Sequence, residues 1–258
     1  MTPWNPKRYL QFSRERELPC RDLIGRVRGK PLKTVVDLGC GPGNSTAVIR
    51  ETFPDANIIG IDSSADMLAA ARAQLPGIRF INADIRSWSG DEPIDLIFSN
   101  AALQWVDDHA AIFSRLESMI RPGGYLAVQM PYRNAESPIS RVLREVETDA
   151  AWKAYFQTPV RTWAVQAPEN YYNMLCRRFK PIDIWLADYH HPLPDARAVI
   201  DWYLGTSLRP YLDVLPSEQE RQAFLRYCGR SMEPMYPVQS DGGILFSIRR
   251  LLVVARHL

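Results

Sequence analysis

The sequence VVDLGCGPGNST, at residues 35–46, combines an acid with closely spaced glycines. Its first residues have the apolar character of a buried strand, and Asn44 to Thr46 are types that accept hydrogen bonds from free N–H groups at a helix start. Glycine has no Cβ, so the backbone at Gly39 and Gly41 can turn tightly and approach a ligand closely. A strand, a glycine turn and a helix together form the nucleotide site of doubly wound α/β domains.

The acid Asp37 indicates which kind of nucleotide this turn binds. A dinucleotide fingerprint is G-x-G-x-x-G, whereas this turn reads G-x-G-x-G and has Asn44 at the place of the third glycine. A carboxylate just before the turn repels a pyrophosphate and attracts an ammonium group. S-adenosylmethionine carries an α-amino group and a sulfonium but no phosphate, so the pattern favours this cofactor over NAD. The alternative is an ordinary glycine turn of a Rossmann-like domain.

Residues 37–43 resemble motif I of the class I S-adenosylmethionine-dependent methyltransferases. The resemblance extends to the trans-aconitate 2-methyltransferases through YLQF near the N-terminus, SNAALQWVDDH, VQMP and GTSLRPYL at residues 205–212. It implies a doubly wound, mostly parallel seven-stranded α/β sheet with a helical cap insertion. It also implies methyl esterification of a carboxylate of trans-aconitate, with S-adenosylmethionine as cofactor and S-adenosylhomocysteine as product.

The acid Asp62 ends the next apolar strand, about 20 residues after Gly41, where an acid meets ribose hydroxyls in nucleotide-binding domains. A carboxylate that faces two hydroxyl donors forms charge-assisted hydrogen bonds. The alternative role of Asp62 is to cap the following helix, although Ser63 or Ser64 could do so instead. We therefore expect Asp62 to bind the ribose.

The ends of the third and fourth strands complete the expected cofactor site. The resemblance implies that Asp84 receives the adenine amino group and that Ile85 packs on the ring. Asn100 and Ala101 follow the fourth strand, at the edge where doubly wound folds bind ligands. The expected cofactor-binding residues are Asp37, Gly39, Cys40, Gly41, Asn44, Asp62, Ser63, Met67, Asp84, Ile85, Asn100 and Ala101.

A carboxylate acceptor is already ionised at pH 7, because its reference pKa is about 4. The reaction therefore requires no acid–base catalyst and no metal, but it requires alignment of the reactants and exclusion of water. The other carboxylates need polar or cationic anchors, for which Arg209 with Tyr211 is the first choice; simple solvation is the alternative for such an arginine. The expected substrate-binding residues are Tyr9, Gln11, Phe12, Arg14, Gln104, Trp105, Arg209 and Tyr211.

The alternation of strand-like and helix-like segments, repeated five times up to Pro131, predicts a parallel sheet. We divide the chain into an N-terminal helical lid at 1–30 and an adenosylmethionine-binding core at 31–132. A helical cap insertion follows at 133–180, and 181–258 is the C-terminal part of the core sheet with helices. Within the lid, Pro19 is expected to begin a second helix.

Composition restricts the class of partner. The chain has 258 residues and a net charge of +2 without a basic run, which argues against nucleic acid. No apolar run indicates a signal peptide or a membrane span. Four cysteines without a C-x-x-C pattern favour free thiols in a reducing cytosol over disulfides or zinc. We expect a cytoplasmic protein with a small carboxylic acid as substrate; its oligomeric state stays open, and a monomer is compatible.

Three other functions stay open. The first is a methyltransferase for another small acid or an acyl thioester on the same fold. The second is a nucleic-acid methyltransferase, which should carry a basic face or an N-P-P-Y-like loop where this chain has SNAALQ. The third is a non-catalytic protein that binds adenosylmethionine.

Overall fold

The computed structural model describes residues 12–90, 92–132, 136–158, 160 and 163–258. Within these ranges, seven strands form one sheet in the order β3-β2-β1-β4-β5-β7-β6. Strands β1 to β5 pair in parallel and β7 pairs antiparallel with β5, which confirms the doubly wound, mostly parallel sheet. The strands are β1 (Thr34–Leu38), β2 (Asn57–Asp62), β3 (Arg79–Asn82), β4 (Ile94–Asn100), β5 (Ile120–Pro131), β6 (Phe179–Leu193) and β7 (Ile244–His257).

One described helix precedes β1 and the others lie between strands, and several begin at a side-chain cap. Ser217 forms a capping box with Glu220, so both side chains satisfy backbone N–H groups at a helix start. The helix Ala196–Leu204 follows Asp195, whose side chain accepts a hydrogen bond from the N–H of Ala198. The described helices are α1 (Ser13–Gly25), α2 (Asn44–Thr52), α3 (Ala65–Gln74), α4 (His109–Met119), α5 (Pro138–Thr148), α6 (Pro168–Leu175), α7 (Ala196–Leu204), α8 (Arg209–Val214) and α9 (Glu218–Met232).

The expectation that Pro19 begins a helix is wrong, because Pro19 lies inside α1. A proline in a helix interior costs about 3 kcal/mol. The side chains of Leu23 and Ile24 are fully buried against the sheet, and each such burial contributes about 1.5–3 kcal/mol. Packing therefore outweighs the local cost and keeps one helix continuous.

The regular alternation fails between β3 and β4. The described residues there, 83–90 and 92–93, contain turns and no helix. Arg115 on α4 donates hydrogen bonds to the carbonyl oxygens of Ile85 and Trp88. The loop is therefore fixed by a side chain from a distant helix, which no local pattern could indicate.

Helices cover both faces of the sheet, and the apolar core lies between the sheet and each layer of helices. Val35, Leu96 and Phe98 pack on one face with side chains of α1 and α2. Their sequence neighbours Val36 and Ile97 pack on the other face with side chains of α4 and α6. Alternate strand residues point to opposite faces, and parallel strands covered on both faces are apolar throughout.

The described residues group into two compact units. The larger unit contains the residues up to Tyr132, together with 163–187 and 250–258; the smaller contains the remaining residues. Segment 133–180, expected as one cap insertion, is thus shared between the units. The smaller unit has an aromatic core in which Trp152 and Phe156 contact Phe224. Among the described residues, no helix combines the length and hydropathy needed to cross a membrane.

Candidate functional site

The glycine turn joins β1 to α2 and lies against the end of β2. The N–H groups of Gly39 and Cys40 donate to the carbonyl oxygen of Ile61 at 2.8 and 2.9 Å. The φ angles of Gly39, Gly41 and Gly43 are 80°, 53° and 96°, a region that side chains with a Cβ rarely adopt. A Cβ at Gly41 would meet no described atom within 4 Å. The backbone at Gly41 is therefore open to a ligand.

Asp62, at the end of β2, fixes this turn. Its Oδ2 accepts a hydrogen bond from the N–H of Gly41 at 2.9 Å, and its Oδ1 accepts one from the N–H of Ser64 at 2.8 Å. The N-cap of α3 is Ser64, which accepts from the N–H of Met67, so Asp62 is not needed for capping. A carboxylate has about four acceptor positions, so Asp62 keeps capacity for two ribose hydroxyls. The ribose contact stays a prediction.

Asp37 is a fully buried carboxylate at the end of β1. Its Oδ2 accepts hydrogen bonds from the hydroxyls of Ser45 and Thr46 at 2.7 and 2.6 Å. Its Oδ1 is also buried and has no hydrogen-bond partner among the described residues. Burial raises the pKa of Asp37 to about 6, although both hydroxyls act in the opposite direction. The free oxygen is suited to a cationic donor, which would favour the ionised form.

Asp84 follows β3 and forms an ion pair with Arg86. Its Oδ1 accepts hydrogen bonds from the backbone N–H and the Nε of Arg86 at 2.8 and 2.9 Å. These contacts lower the pKa of Asp84 to about 2, so it is ionised at neutral pH. If Asp84 accepts a hydrogen bond from an adenine amino group, Arg86 must give up some of the acceptor positions on the carboxylate that it now occupies. This role also stays a prediction.

The segment after β4 comes closest to the glycine turn. A Cβ added at Gly39 would lie 2.2 Å from the Cβ of Ala102 and 3.3 Å from the Cδ1 of Ile85. Only glycine fits there, because a side chain would collide with its neighbour. Ala101 has a φ of 55°, which is uncommon for a residue other than glycine. The ends of β1, β3 and β4 therefore meet around one point.

The short 3-10 turn Leu103–Trp105 carries two of the expected substrate-binding residues. Gln104 is buried and donates from Nε2 to the carbonyl oxygen of Ala101 at 2.8 Å. Its Oε1 has no partner among the described residues. The ring of Trp105 meets Trp163 edge to face, with centroids 6.1 Å apart. Gln104 thus presents an acceptor next to the strand end.

A buried histidine holds that turn in place, and sequence reasoning missed it. His109 Nε2 lies 3.0 Å from the carbonyl oxygen of Leu103, and Nδ1 lies 2.7 Å from the hydroxyl of Tyr171. A carbonyl only accepts, so Nε2 carries the proton and Nδ1 accepts from the tyrosine. The Tyr171 oxygen accepts in turn from the N–H of Gln166 at 3.1 Å. The pair links α4, α6 and the 3-10 turn.

Several other expected cofactor residues have side chains in the core. Cys40 packs with Leu68 and Phe80, and Met67 is also buried. Burial raises the pKa of the Cys40 thiol. Cys40 can therefore contribute its backbone to the site, whereas its thiol belongs to the packing beneath α3.

The expected substrate-binding residues that the structure describes belong to three elements: the start of α1, the 3-10 turn and α8. Tyr9 and Gln11 lie outside the described residues. Phe12 is buried, and Arg14 is exposed at the start of α1. Arg209 and Tyr211 belong to α8 in the smaller unit.

Tyr211 is a core residue of the smaller unit. Its ring packs on Phe156 and Phe224 with centroids 5.3 and 6.1 Å away. Arg209 is partly exposed, and partial burial lowers the pKa of its guanidinium. Residues two positions apart on a helix do not share a face. The anchor hypothesis therefore continues with Arg209 alone.

Comparison with known proteins identifies the family. A family model described as a methyltransferase domain matches residues 35–124. The trans-aconitate 2-methyltransferases of Methylobacterium radiotolerans and Escherichia coli are each 43% identical to the chain. The first alignment covers 99% of both chains, and the second covers 100% of both. This chain belongs to the trans-aconitate 2-methyltransferase family.

A solved structure supports the fold of this family member. Phosphoethanolamine N-methyltransferase 2 of Haemonchus contortus, in complex with phosphomonomethylethanolamine and S-adenosylhomocysteine, has a TM-score of 0.58 and 15% identity. The match covers 93% of this chain and 53% of that one. At this identity the likeness concerns the fold.

The region matched by the methyltransferase domain contains every expected cofactor residue of this trans-aconitate 2-methyltransferase family member. Arg14, Arg209 and Tyr211 lie outside that region. Sequence reasoning also passed over Gln129 and Arg250, which are both buried. A polar residue inside an otherwise apolar central strand, as in YLAVQMP, is the signal that could have found Gln129.

Proposed function

We propose that this protein transfers the methyl group of S-adenosylmethionine to a carboxylate of trans-aconitate and produces a methyl ester. The observation that carries this proposal is the 43% identity, over 99% or more of both chains, with relatives named for that activity. The arrangement of Asp37, Gly41 and Asp62 supports the cofactor, because it offers carboxylate acceptors and an open backbone, and the carboxylates would repel a pyrophosphate.

The residues present fit the cofactor. The buried Oδ1 of Asp37 lacks a donor among the described residues, and an α-ammonium group would supply one. Gly41 leaves space above the turn, and Asp62 retains acceptor positions for hydroxyls. When bound, S-adenosylmethionine supplies an electrophilic methyl group on a sulfonium.

The chain's own contribution to this reaction is binding, orientation and exclusion of water. The acceptor carboxylate is ionised at neutral pH and attacks without a general base. A carboxylate loses nucleophilicity in a strong ion pair, so cationic side chains should hold the other carboxylates and leave the reacting one free. Correct positioning of reactants can supply several kcal/mol of the barrier reduction.

One assay separates this proposal from its alternatives. The protein is incubated with methyl-labelled S-adenosylmethionine and, in parallel, with trans-aconitate, a small acyl thioester or an oligonucleotide. We expect label in a base-labile ester of the acid alone. Label in the thioester or the oligonucleotide would assign another methyltransferase class. Saturable binding of S-adenosylhomocysteine without transfer to any of these acceptors would leave a methyltransferase for another small acid or a non-catalytic protein.

The raised pKa of Asp37 predicts a pH dependence of cofactor affinity. The pKa rises from an ordinary value of about 4 to about 6 in the unliganded fold. This group therefore stabilises the unliganded fold most at acid pH, and that contribution is lost as pH rises from about 4 to 6. Binding of an ammonium group requires the ionised form. We expect affinity for S-adenosylhomocysteine to approach its full value above about pH 7, to be about half of it at pH 6 and to be about tenfold lower at pH 5.

Calorimetry between pH 5 and 7.5 measures this dependence. Asp37→Asn has no charge to titrate, so its affinity should be low and flat across the range. Asp62 also has a raised pKa, and the comparison between the wild type and Asp37→Asn separates the two acids. The contact of Asp37 with the ammonium group would be contradicted if the affinity of the wild type did not change with pH. It would also be contradicted if Asp37→Asn kept the pH dependence of the wild type.

A further inference from the structure

Gln129 is a buried amide without a structural role that the described residues account for. It lies near the carboxyl end of β5 and only 1% of its surface is exposed. Both side-chain atoms, Oε1 and Nε2, are buried and have no hydrogen-bond partner among the described residues. Burial of an unpaired amide is unfavourable. Such a group is expected where a ligand completes its hydrogen bonds.

Arg250 lies beside Gln129 on the same face of the sheet. Gln129 is opposite Leu252 of β7, and Pro131 is opposite Arg250. Directly opposed residues share a face, and so do residues two apart on a strand. Gln129 and Arg250 are therefore diagonal neighbours, a separation that long side chains can bridge. Arg250 is itself 5% exposed, which brings a buried cation next to a buried amide.

We propose that Gln129 and Arg250 form a binding site for one non-reacting carboxylate of the acceptor acid. This inference rests on the proposed function, and it names a part of the substrate site that sequence reasoning did not find. Guanidinium and amide N–H groups are donors that suit a carboxylate, and the planar guanidinium can bind it in bidentate geometry. The ligand class is a small di- or tricarboxylic acid.

The position of the pair favours the acceptor over the amino-acid end of the cofactor as the source of that carboxylate. The cofactor candidates Asp37 and Asp62 lie at the carboxyl ends of β1 and β2, and Asp84 follows β3. Gln129 and Arg250 lie on β5 and β7, on the other side of β4. Between them, Asn100 pairs with Gln129 in the sheet and has an unpaired acceptor, Oδ1, among the described residues. The carboxylate acceptors thus lie on the strands that carry the cofactor candidates, whereas the guanidinium and amide donors lie on β5 and β7.

Gln129→Leu is the primary test, because it removes both amide atoms at similar volume. We expect the KM for trans-aconitate to rise about tenfold or more, as for a lost hydrogen bond to a charged group. The kcat and the affinity for S-adenosylhomocysteine should change little. The free energy of unfolding should be unchanged or higher, because an unpaired buried amide is removed. An amide with a structural role would instead lower it.

Arg250→Lys tests the guanidinium while keeping the charge, and we expect a rise in KM of the same order. Arg249→Lys is the matched control. Its side chain points to the opposite face and forms an ion pair with Asp188, so its KM should stay at the wild-type value. If Arg250→Lys does not fold, the KM and the free energy of unfolding of Gln129→Leu still test the proposal.

Four outcomes overturn the proposal. The first is an unchanged KM in Gln129→Leu at unchanged stability, and the second is a lower free energy of unfolding in that variant without a change in KM. The third is a rise in KM in Arg249→Lys equal to that in Arg250→Lys. The fourth is a loss in Gln129→Leu that is confined to the affinity for S-adenosylhomocysteine. The last would assign the carboxylate to the cofactor. Failure of the proposed function differs from all four, because wild-type protein would then transfer no methyl group to trans-aconitate.

Discussion

Replacement of Asp62 by alanine should raise the dissociation constant of S-adenosylhomocysteine by about a hundredfold or more. Two charge-assisted hydrogen bonds to ribose hydroxyls contribute about 1.5–3 kcal/mol each, and the lower limit of their sum already gives this factor. The carboxylate also holds the N–H of Gly41 at 2.9 Å, so its removal loosens the glycine turn as well. Calorimetry with the cofactor product measures the change.

Asp66→Ala is the matched control for this variant. Asp66 is exposed on the first turn of α3, four residues after Asp62, and its loss should leave affinity within a factor of about two. Circular dichroism should show both variants folded. Asp62→Ala should be less stable, because it loses two charge-assisted hydrogen bonds to backbone N–H groups, which contribute about 1.5–3 kcal/mol each. Normal affinity in Asp62→Ala would show that the ribose contact lies at another residue. Tight binding of NAD by the wild type would contradict the cofactor assignment itself.

Replacement of Arg209 by alanine should raise the KM for trans-aconitate by one to two powers of ten. This expectation follows from the loss of a charged hydrogen bond of about 1.5–3 kcal/mol to a non-reacting carboxylate. Arg209→Lys keeps the charge but loses the planar fork, so it should also be impaired. Affinity for S-adenosylhomocysteine should stay almost unchanged. Steady-state kinetics with varied trans-aconitate measures both variants.

Arg197, exposed on α7 of the same unit, gives the control substitution, and Arg197→Ala should behave as the wild type. If Arg209→Ala has wild-type kinetics, the anchor is another cationic residue. Arg14 is then the next candidate, and Arg250 is tested by the variants described above.

The parts of the fold that local sequence determines were predictable. The glycine turn depends on residue types within residues 35–46, and the structure has the positive φ angles there that only glycine tolerates readily. The end of β2 at Asp62 followed from an apolar run and a motif spacing.

The parts that depend on distant contacts were not predictable from one sequence. Pro19 continues a helix because α1 is packed on the sheet. The loop before β4 needs Arg115 from α4, and the 3-10 turn after β4 needs the His109–Tyr171 pair. The Arg115–Trp88 and His109–Tyr171 contacts join residues 27 and 62 positions apart, so the spacing of residues along the chain carries no sign of them.

The formation of the methyl ester tests the central claim most directly. Wild-type protein is incubated with trans-aconitate and S-adenosylmethionine that carries a labelled methyl group, and the acid is recovered for mass spectrometry. We expect a monomethyl ester that carries the label and loses it on mild alkaline hydrolysis, together with an equal amount of S-adenosylhomocysteine. Absence of any labelled ester from a protein that binds S-adenosylhomocysteine saturably would contradict the assignment of trans-aconitate as the acceptor.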